Sequence, residues 1–144
     1  MRIYTIGFTK KNAEQFFGLL KNSGAKTLID TRLNNVSQLA GFTKRDDLEY
    51  FARELCGMTY RHELELAPTG EMLHAFKKGH WSWAQYEAEY LDLMRSRAID
   101  ENLTRAELSD AVLLCSEATP EHCHRRLAAE YLAKAWGDIE IVHL

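Results

Sequence analysis

The chain has little of what marks membrane-spanning, secreted or disulfide-built proteins. It holds only three cysteines and two prolines, and its apolar runs stay far below the about 20 residues of a membrane-spanning helix. The N-terminus lacks the extended apolar core of a signal peptide. A small, odd number of cysteines favours reduced thiols over a disulfide scaffold. We therefore expect a cytoplasmic protein without a membrane partner.

Positive charge is also too scarce for a protein that binds nucleic acid through a broad basic surface. The formal net charge is -3, whereas such binding draws on many Lys and Arg side chains. A local basic pocket is compatible with this balance. The 144 residues, 46% hydrophobic and 27% charged, are enough for one globular domain with its own core.

Short apolar runs alternate with helical patterns along the chain. The runs predict five strands, at residues 2–6, 27–29, 59–60, 111–115 and 139–143. Capping boxes predict three helix starts, at Asn12 with Gln15, Thr43 with Asp46 and Ser82 with Gln85. A helical insertion fills residues 68–109, before the fourth strand. The pattern predicts a single α/β domain over residues 1–144, a three-layer parallel sheet of flavodoxin or Rossmann type.

Polar residues follow the ends of the first four predicted strands. In a parallel sheet the carboxyl ends of the strands meet at one edge, and ligands bind outside that edge. We therefore expect a shared pocket there, lined by Thr5, Gly7, Asp30, Arg32, Tyr60, His62, Cys115 and Glu117. Residues 33–42 show neither helical nor strand periodicity and predict a long loop over the same edge.

The densest group of reactive side chains follows the fourth strand. Thr119 and Pro120 predict a helix N-cap with proline at the first helical position. Cys123 and His124 then lie in the first helical turn, where free N–H groups favour anions and lower the pKa of a thiol. Cys123 is therefore a candidate nucleophile. The alternative is a buried thiol that packs the helix against the sheet.

Two cysteines and a histidine in this segment raise the question of a metal. The spacing of Cys115, Cys123 and His124 matches none of the usual zinc patterns, and adjacent helical residues point about 100° apart. We therefore expect no metal and no other cofactor. Cys115 ends an apolar strand, which is typical of a structural thiol. A Cys115–Cys123 disulfide is conceivable but disfavoured in a reducing compartment.

The motifs together resemble a known family, the bacterial and archaeal family called domain of unknown function 488. The resemblance rests on Thr5-Ile6-Gly7, Asp30-Thr31-Arg32, Ser37 in the following loop, and Leu114-Cys115-Ser116-Glu117 through Pro120 to Cys123-His124-Arg125. It covers nearly the whole chain and implies a small α/β domain but no reaction. This chain carries Asn34-Asn35 where many members have proline.

Anion recognition is the function that these residues favour. Arg32 and Arg125 can present paired donors to a phosphate, while Asp30 or Glu117 handles protons and Cys123 is the third catalytic candidate. The candidates for substrate binding are Thr5, Gly7, Arg32, Ser37, Tyr60, His62, Cys115, His124 and Arg125. The leading interpretation is an enzyme acting on a phosphate-bearing small molecule, such as a nucleotide, or on a nucleic-acid end.

Other interpretations stay open. The chain can equally be a non-catalytic nucleotide or nucleic-acid binding module, because the same arginines would hold the ligand. A thiol or metal protein using Cys123 is the third class. The arginines also have a purely structural explanation, in which Arg32 pairs with Asp30 and Arg125 with Glu117. The sequence indicates neither an oligomeric state nor whether the pocket is catalytic.

Overall fold

The computed structural model describes residues 1–36 and 41–144. Five strands form a sheet: β1 (Arg2–Gly7), β2 (Thr27–Asp30), β3 (Thr59–His62), β4 (Ala111–Cys115) and β5 (Glu140–His143). Their order is β3-β2-β4-β1-β5, and each neighbouring pair runs parallel. The predicted α/β fold with a parallel sheet is confirmed. Since the strands run the same way, their carboxyl ends share one edge.

The helices lie between the strands as the alternating pattern predicts. They are α1 (Ala13–Ser23), α2 (Arg45–Cys56), α3 (Gly70–Lys77), α4 (Trp83–Ser96), α5 (Ile99–Asn102), α6 (Arg105–Leu108) and α7 (His124–Trp136). Short 3-10 helices cover Gly41–Thr43 and Leu64–Leu66. The capping boxes at Asn12 and Ser82 are both formed. No helix in the described ranges has the length and apolar character needed to cross a membrane.

Each face of the sheet is covered by its own apolar core. Side chains alternate along a strand, so Leu113 of β4 faces one side and Leu114 the other. Helices α1 and α2 pack on the face of Leu114, where Phe16 is fully buried. Helices α3 to α7 pack on the face of Leu113, where Tyr90 is fully buried. The result is the three-layer arrangement that the sequence predicts.

The predicted start of α2 is wrong. Its N-cap is Lys44, which makes no side-chain cap hydrogen bond, and the helix begins at Arg45. Thr43 instead ends the preceding 3-10 helix and is buried. Its carbonyl oxygen accepts a hydrogen bond of 2.6 Å from Nη2 of Arg32. Thr43 is therefore tied to the sheet edge instead of capping the helix.

The predicted start of α7 is also wrong. The backbone N–H of Cys123 donates to the carbonyl oxygen of Pro120 at 3.3 Å, so Pro120 belongs to a turn that precedes the helix. Cys123 is the N-cap, with extended backbone angles of φ -137° and ψ 136°, and His124 is the first helical residue. The side chains of Cys123 and His124 are therefore not separated by the 100° rotation of a helix.

Candidate functional site

Two adjoining clefts open at the carboxyl ends of β1, β2 and β4. The first, the helical cleft, has a volume of about 270 Å³, and its walls include Phe76, Trp83, Cys115, Glu117, Cys123 and His124. The second, the lysine cleft, has a volume of about 840 Å³, and its walls include Phe8, Lys10, Lys11, Phe42 and Thr43. Residues that line both clefts are Arg32, Asn34, Lys77 and Ser116. Arg32 therefore lies where the two spaces meet.

The end of β2 carries a buried ion pair. Asp30 is fully buried, and its two carboxylate oxygens accept hydrogen bonds from Nε and Nη2 of Arg32 at 2.9 and 2.8 Å. Arg32 is 6% exposed, and its guanidinium also lies over the ring of Phe8. Arg32 thus pairs with Asp30, as in the structural explanation that the sequence left open. Asp30 is consequently engaged by Arg32 instead of facing either cleft.

Tyr60 and His62 of β3 contact the Asp30–Arg32 pair on the side away from the clefts. The hydroxyl of Tyr60 donates to Oδ2 of Asp30 at 2.6 Å and accepts a hydrogen bond from the side-chain amide of Asn35. Burial, followed by the hydrogen bond to Asp30, raises the pKa of Tyr60 above its usual range. Nε2 of His62 lies 2.6 Å from the carbonyl oxygen of Arg32. Both residues therefore position Asp30 and Arg32.

Arg125, in the first turn of α7, is buried in a different way. Its residue surface is fully inaccessible, and it donates to the hydroxyl of Thr5 at 3.3 Å and to the backbone carbonyl of Glu117 at 2.7 Å. Its Nη2 has no hydrogen-bond partner among residues 1–36 and 41–144. Burial lowers the pKa of Arg125 to about 10, although the nearby carboxylates of Glu117 and Glu121 oppose that shift. The expected Arg125–Glu117 interaction thus uses a carbonyl oxygen.

Gly7 allows the loop after β4 to approach the end of β1. A Cβ atom on Gly7 would lie 1.5 Å from the carbonyl oxygen of Glu117 and 2.8 Å from Nη1 of Arg125. Only a residue without a side chain fits there. Thr5, two residues earlier, is fully buried, and its hydroxyl lies 2.6 Å from Nδ1 of His143. Both residues hold Arg125 in place.

The two cysteines of the helical cleft are joined. The sulfur atoms of Cys115 and Cys123 form a disulfide, which corrects the expectation of free thiols at these positions. The correction follows from chain geometry, since Cys115 ends β4 and the turn before α7 returns Cys123 to that strand end. In this form Cys123 has no thiol for nucleophilic attack. Cys56 is a free, partly buried thiol.

His124 lies beside the disulfide and is held by Thr31, the residue after β2. Its Nε2 is 2.9 Å from the carbonyl oxygen of Thr31, a contact that only an N–H donor satisfies. The hydroxyl of Thr31, in turn, donates to the carbonyl oxygen of Leu114 at 2.7 Å. Burial lowers the pKa of His124 to about 4, against the opposing effect of the hydrogen bond to Thr31. His124 is therefore neutral near pH 7.

The structure separates the predicted site residues into two groups. Those that line a cleft are Arg32, Cys115, Glu117, Cys123 and His124. Those that lie behind the walls and contact them are Thr5, Gly7, Asp30, Tyr60, His62 and Arg125. Glu117 is exposed, whereas Asp30 is buried. The predicted role of Ser37 falls outside the described residues.

Sequence reasoning missed the lysines of the clefts and His122. Lys10 and Lys11 follow β1, and Lys77 ends α3. Burial and repulsion by Arg125 lower the pKa of Lys11. His122 stacks on Trp83, with ring centroids 4.9 Å apart. Two basic residues in the loop after β1 were the available indication for Lys10 and Lys11, but nothing local marks Lys77.

Comparison with known proteins gives a family and no reaction. The family described as Domain of unknown function DUF488 matches residues 12–132, which include the Asp30–Arg32 pair and the segment from Cys115 to Arg125. No curated protein matches the chain. No solved structure matches it either. The match spans most of the sequence and both ends of the site, and the chain therefore belongs to the family Domain of unknown function DUF488.

Proposed function

We propose that the protein binds a phosphate-bearing substrate, such as a nucleotide or a nucleic-acid end, across the two clefts and acts on it there. The observation that carries this proposal is the charge of the lysine cleft. Its described lining residues include Lys10, Lys11, Arg32 and Lys77 but no carboxylate. Three lysines converging on one concave surface, beside an arginine that Asp30 already neutralises, concentrate an anion by their summed field. A phosphate group is the natural occupant.

The position of Arg32 supports phosphate binding at the junction of the clefts. Its charge is already paired with Asp30, so Lys77 supplies the uncompensated charge at that junction. A phosphate placed there would contact Lys77 and lie beside the guanidinium of Arg32. Arg125 does not line either cleft within the described ranges. It acts on the anion only through its field.

The aromatic wall of the helical cleft supports a nucleotide over a bare phosphate. Trp83 and the stacked ring of His122 face the same space as Phe76. Flat aromatic surfaces beside a phosphate site are suited to stacking a base, which contributes about 1–3 kcal/mol per base in single-strand binding proteins. Because Trp83 is already stacked on both Tyr86 and His122, the phosphate in this arrangement lies against Lys77 and the base against Phe76 and His122.

Glu117 is the carboxylate that supports a catalytic role. It is exposed, lines the helical cleft and follows the strand end that carries Cys115. Asp30 is unsuited to proton transfer because both its oxygens are occupied by Arg32 and Tyr60. We therefore assign Glu117 the proton-transfer role and Asp30 the role of orienting Arg32.

Calorimetric titration tests the binding site. Inorganic phosphate, a nucleoside monophosphate and a 5′-phosphorylated dinucleotide are the probes. Lys77→Ala is expected to weaken binding of the nucleotide probes about tenfold, the effect of losing one hydrogen bond to a charged group. Lys78→Ala is the matched control, since Lys78 is an exposed neighbour outside both linings. Equal affinities of the two variants, or no binding by any probe, would contradict the proposal.

A second measurement separates an enzyme from a binding module. Each nucleotide probe that binds is incubated with wild type and Glu117→Gln and is then analysed by mass spectrometry. An enzyme converts the probe, and Glu117→Gln retains affinity but loses most of the conversion. Unchanged probe in every incubation with wild type would favour a module and remove the catalytic assignment of Glu117.

A further inference from the structure

The floor of the helical cleft holds three side chains that metals bind. One ligand atom each from Cys115, Cys123 and His124 lies within 4.8 Å of the other two. Around a tetrahedral zinc ion, with Zn–S of about 2.3 Å and Zn–N of about 2.0 Å, ligand atoms lie roughly 3.5–3.8 Å apart. All three residues are nearly or fully buried, yet all three line the cleft. We propose that the reduced form of this trio binds one zinc ion.

The orientation of His124 favours a metal. Its Nε2–H is used by the carbonyl oxygen of Thr31, at 2.9 Å, which leaves the lone pair on Nδ1. Metal-bound histidines commonly donate their other N–H to a backbone carbonyl or a carboxylate, because this fixes the ring and the tautomer. Thr31 is itself held by Leu114 of β4. The second shell of a histidine ligand is therefore already formed.

The charges of the surroundings also suit two thiolates. Cys123 is the N-cap of α7, and the first turn of that helix carries no acidic residue. The positive end of the helix dipole therefore stabilises a thiolate at Cys123. Two thiolates and a neutral imidazole balance a divalent cation, so the loaded site adds no net charge beneath the clefts. Thiolate and imidazole ligands together favour zinc over magnesium or calcium.

The disulfide is the oxidised, metal-free form of the same site. A dithiol reductant transfers two electrons and two protons to the S–S bond, which gives two thiols and leaves the reductant as its own disulfide. Zinc then displaces the two thiol protons to solvent as the Zn–S bonds form. The Cα atoms of Cys115 and Cys123 are 7.2 Å apart, which leaves the sulfurs room to separate.

The fourth zinc position would open into the helical cleft. Three protein ligands plus one exchangeable position is the arrangement of catalytic zinc sites, whereas structural sites use four protein ligands. A water molecule or an oxygen of a bound ligand would fill that position. This inference goes beyond phosphate binding and does not depend on it, since the metal ligands differ from the lysines of the clefts.

Metal analysis of the full chain tests the inference. The protein is reduced with a water-soluble phosphine, which becomes the phosphine oxide, then equilibrated with zinc and freed of excess metal under inert gas. Elemental analysis is expected to give about one zinc per chain for wild type and below about 0.1 for Cys123→Ser. Cys56→Ser is the control, because Cys56 lies outside the trio, and it is expected to retain one zinc. Fewer than about 0.1 zinc in reduced wild type overturns the inference.

Two further measurements use the wild-type chain, so they test the inference even if Cys123→Ser does not fold. Wild type with the Cys115–Cys123 disulfide intact is the same chain without the two thiolates of the trio, and it is expected to bind no zinc at this site. Cobalt added to the reduced chain is expected to show a thiolate-to-metal charge-transfer band in the near ultraviolet that zinc abolishes. Equal zinc content in the oxidised and reduced chains overturns the inference, as does a cobalt spectrum without that band. Lys77→Ala is expected to retain zinc, which separates this result from the test of phosphate binding.

Discussion

Two buried arginines at the same edge of the sheet, Arg32 and Arg125, have different hydrogen-bond and charge partners. Arg32 pairs with the buried carboxylate of Asp30 through two hydrogen bonds. Arg125 is fully buried, and in the part of the chain that the structure describes it donates to one hydroxyl and one carbonyl oxygen, while its Nη2 has no partner there. The first region is neutral overall, whereas the second keeps a positive charge. The difference shows that only the first arginine is accounted for by ion pairing.

The second region places a positive charge directly beneath the candidate site. Burial of a charge that no carboxylate hydrogen-bonds costs free energy, and the lowered pKa of Arg125 reflects this cost even though Glu117 and Glu121 partly offset it. The same charge repels Lys11 of the lysine cleft and lowers its pKa after the larger effect of burial. An anion bound between these cations would relieve both unfavourable interactions. The unpaired arginine is therefore consistent with a site for anions.

Replacing each arginine tests this difference directly, and Arg32→Met is expected to have the largest effect on the free energy of unfolding. Arg32→Met leaves the carboxylate of Asp30 buried without a counter-charge and is expected to lower the free energy of unfolding by about 3–5 kcal/mol. Arg125→Met loses two hydrogen bonds but also removes an unpaired charge. It is expected to cost at most about 1 kcal/mol. Urea unfolding measures both, and equal losses would refute the distinction.

Acid unfolding sharpens the comparison at His124, which lies between the two regions. The folded-state pKa of about 4 is below the unfolded value of 6.5, so the unfolded chain binds more protons between these pH values. Stability contributed by neutral His124 is therefore present above pH 6.5 and is lost as pH falls toward 4. The expected loss is about 1.4 kcal/mol per pH unit.

The measurement compares urea unfolding of metal-free, disulfide-linked wild type and His124→Gln at several pH values in this window. The variant is expected to lose stability less steeply than wild type as pH falls. His122→Gln is the control, because His122 is exposed. If all three chains show the same pH slope, His124 does not titrate as described.

Close packing around Arg125 is tested at Gly7. Gly7→Ala forces the carbonyl oxygen of Glu117 and Nη1 of Arg125 to move, and a loss of about 1–3 kcal/mol in the free energy of unfolding is expected. Gly18→Ala is the matched control, since Gly18 lies inside α1 and, beyond the backbone of its own helix and its chain neighbours, no atom of the described residues lies within 4 Å of the added Cβ. It is expected to gain about 0.5–1 kcal/mol. A neutral Gly7→Ala would show that the loop after β4 moves freely.

The hydroxyl of Tyr60 supports the paired region, and its removal is expected to have a smaller effect than the loss of Arg32. Tyr60→Phe removes one of the hydrogen bonds to Asp30 but leaves Arg32 in place, so a loss of about 1.5 kcal/mol is expected. Tyr50→Phe is the control, since Tyr50 is an exposed aromatic residue of α2. Thermal unfolding of the two variants provides the measurement. No difference between them would mean that Arg32 alone satisfies Asp30.

Much of the fold could be predicted from the sequence, because apolar runs and capping residues are patterns within a short stretch of the chain. The apolar run that ends at Cys115 forms β4, and the capping boxes at Asn12 and Ser82 begin α1 and α4, as predicted. The box at Thr43 failed because a long-range hydrogen bond from Arg32 holds that residue in a 3-10 helix. The start of α7 differs for a local reason, since a turn at Pro120 precedes the helix and moves its start to His124.

Only part of the candidate site could be predicted from the sequence. The Asp30–Arg32 pair follows from the period of two in an extended chain, and the sequence raised it as a structural explanation. The convergence of Cys115, Cys123 and His124 did not follow, because it depends on a turn that delays the helix to His124. Lys77 reaches the clefts through the packing of α3, which no local pattern encodes.

The contacts of Arg32 bear on the entropy of ligand binding. Its guanidinium is held in its plane by Asp30 and Thr43 and covered on one face by Phe8. A free arginine side chain loses up to about 2 kcal/mol of rotamer entropy when it is immobilised. For Arg32 this entropy is lost once, during folding. A ligand that arrives at the clefts therefore meets a guanidinium already fixed in orientation.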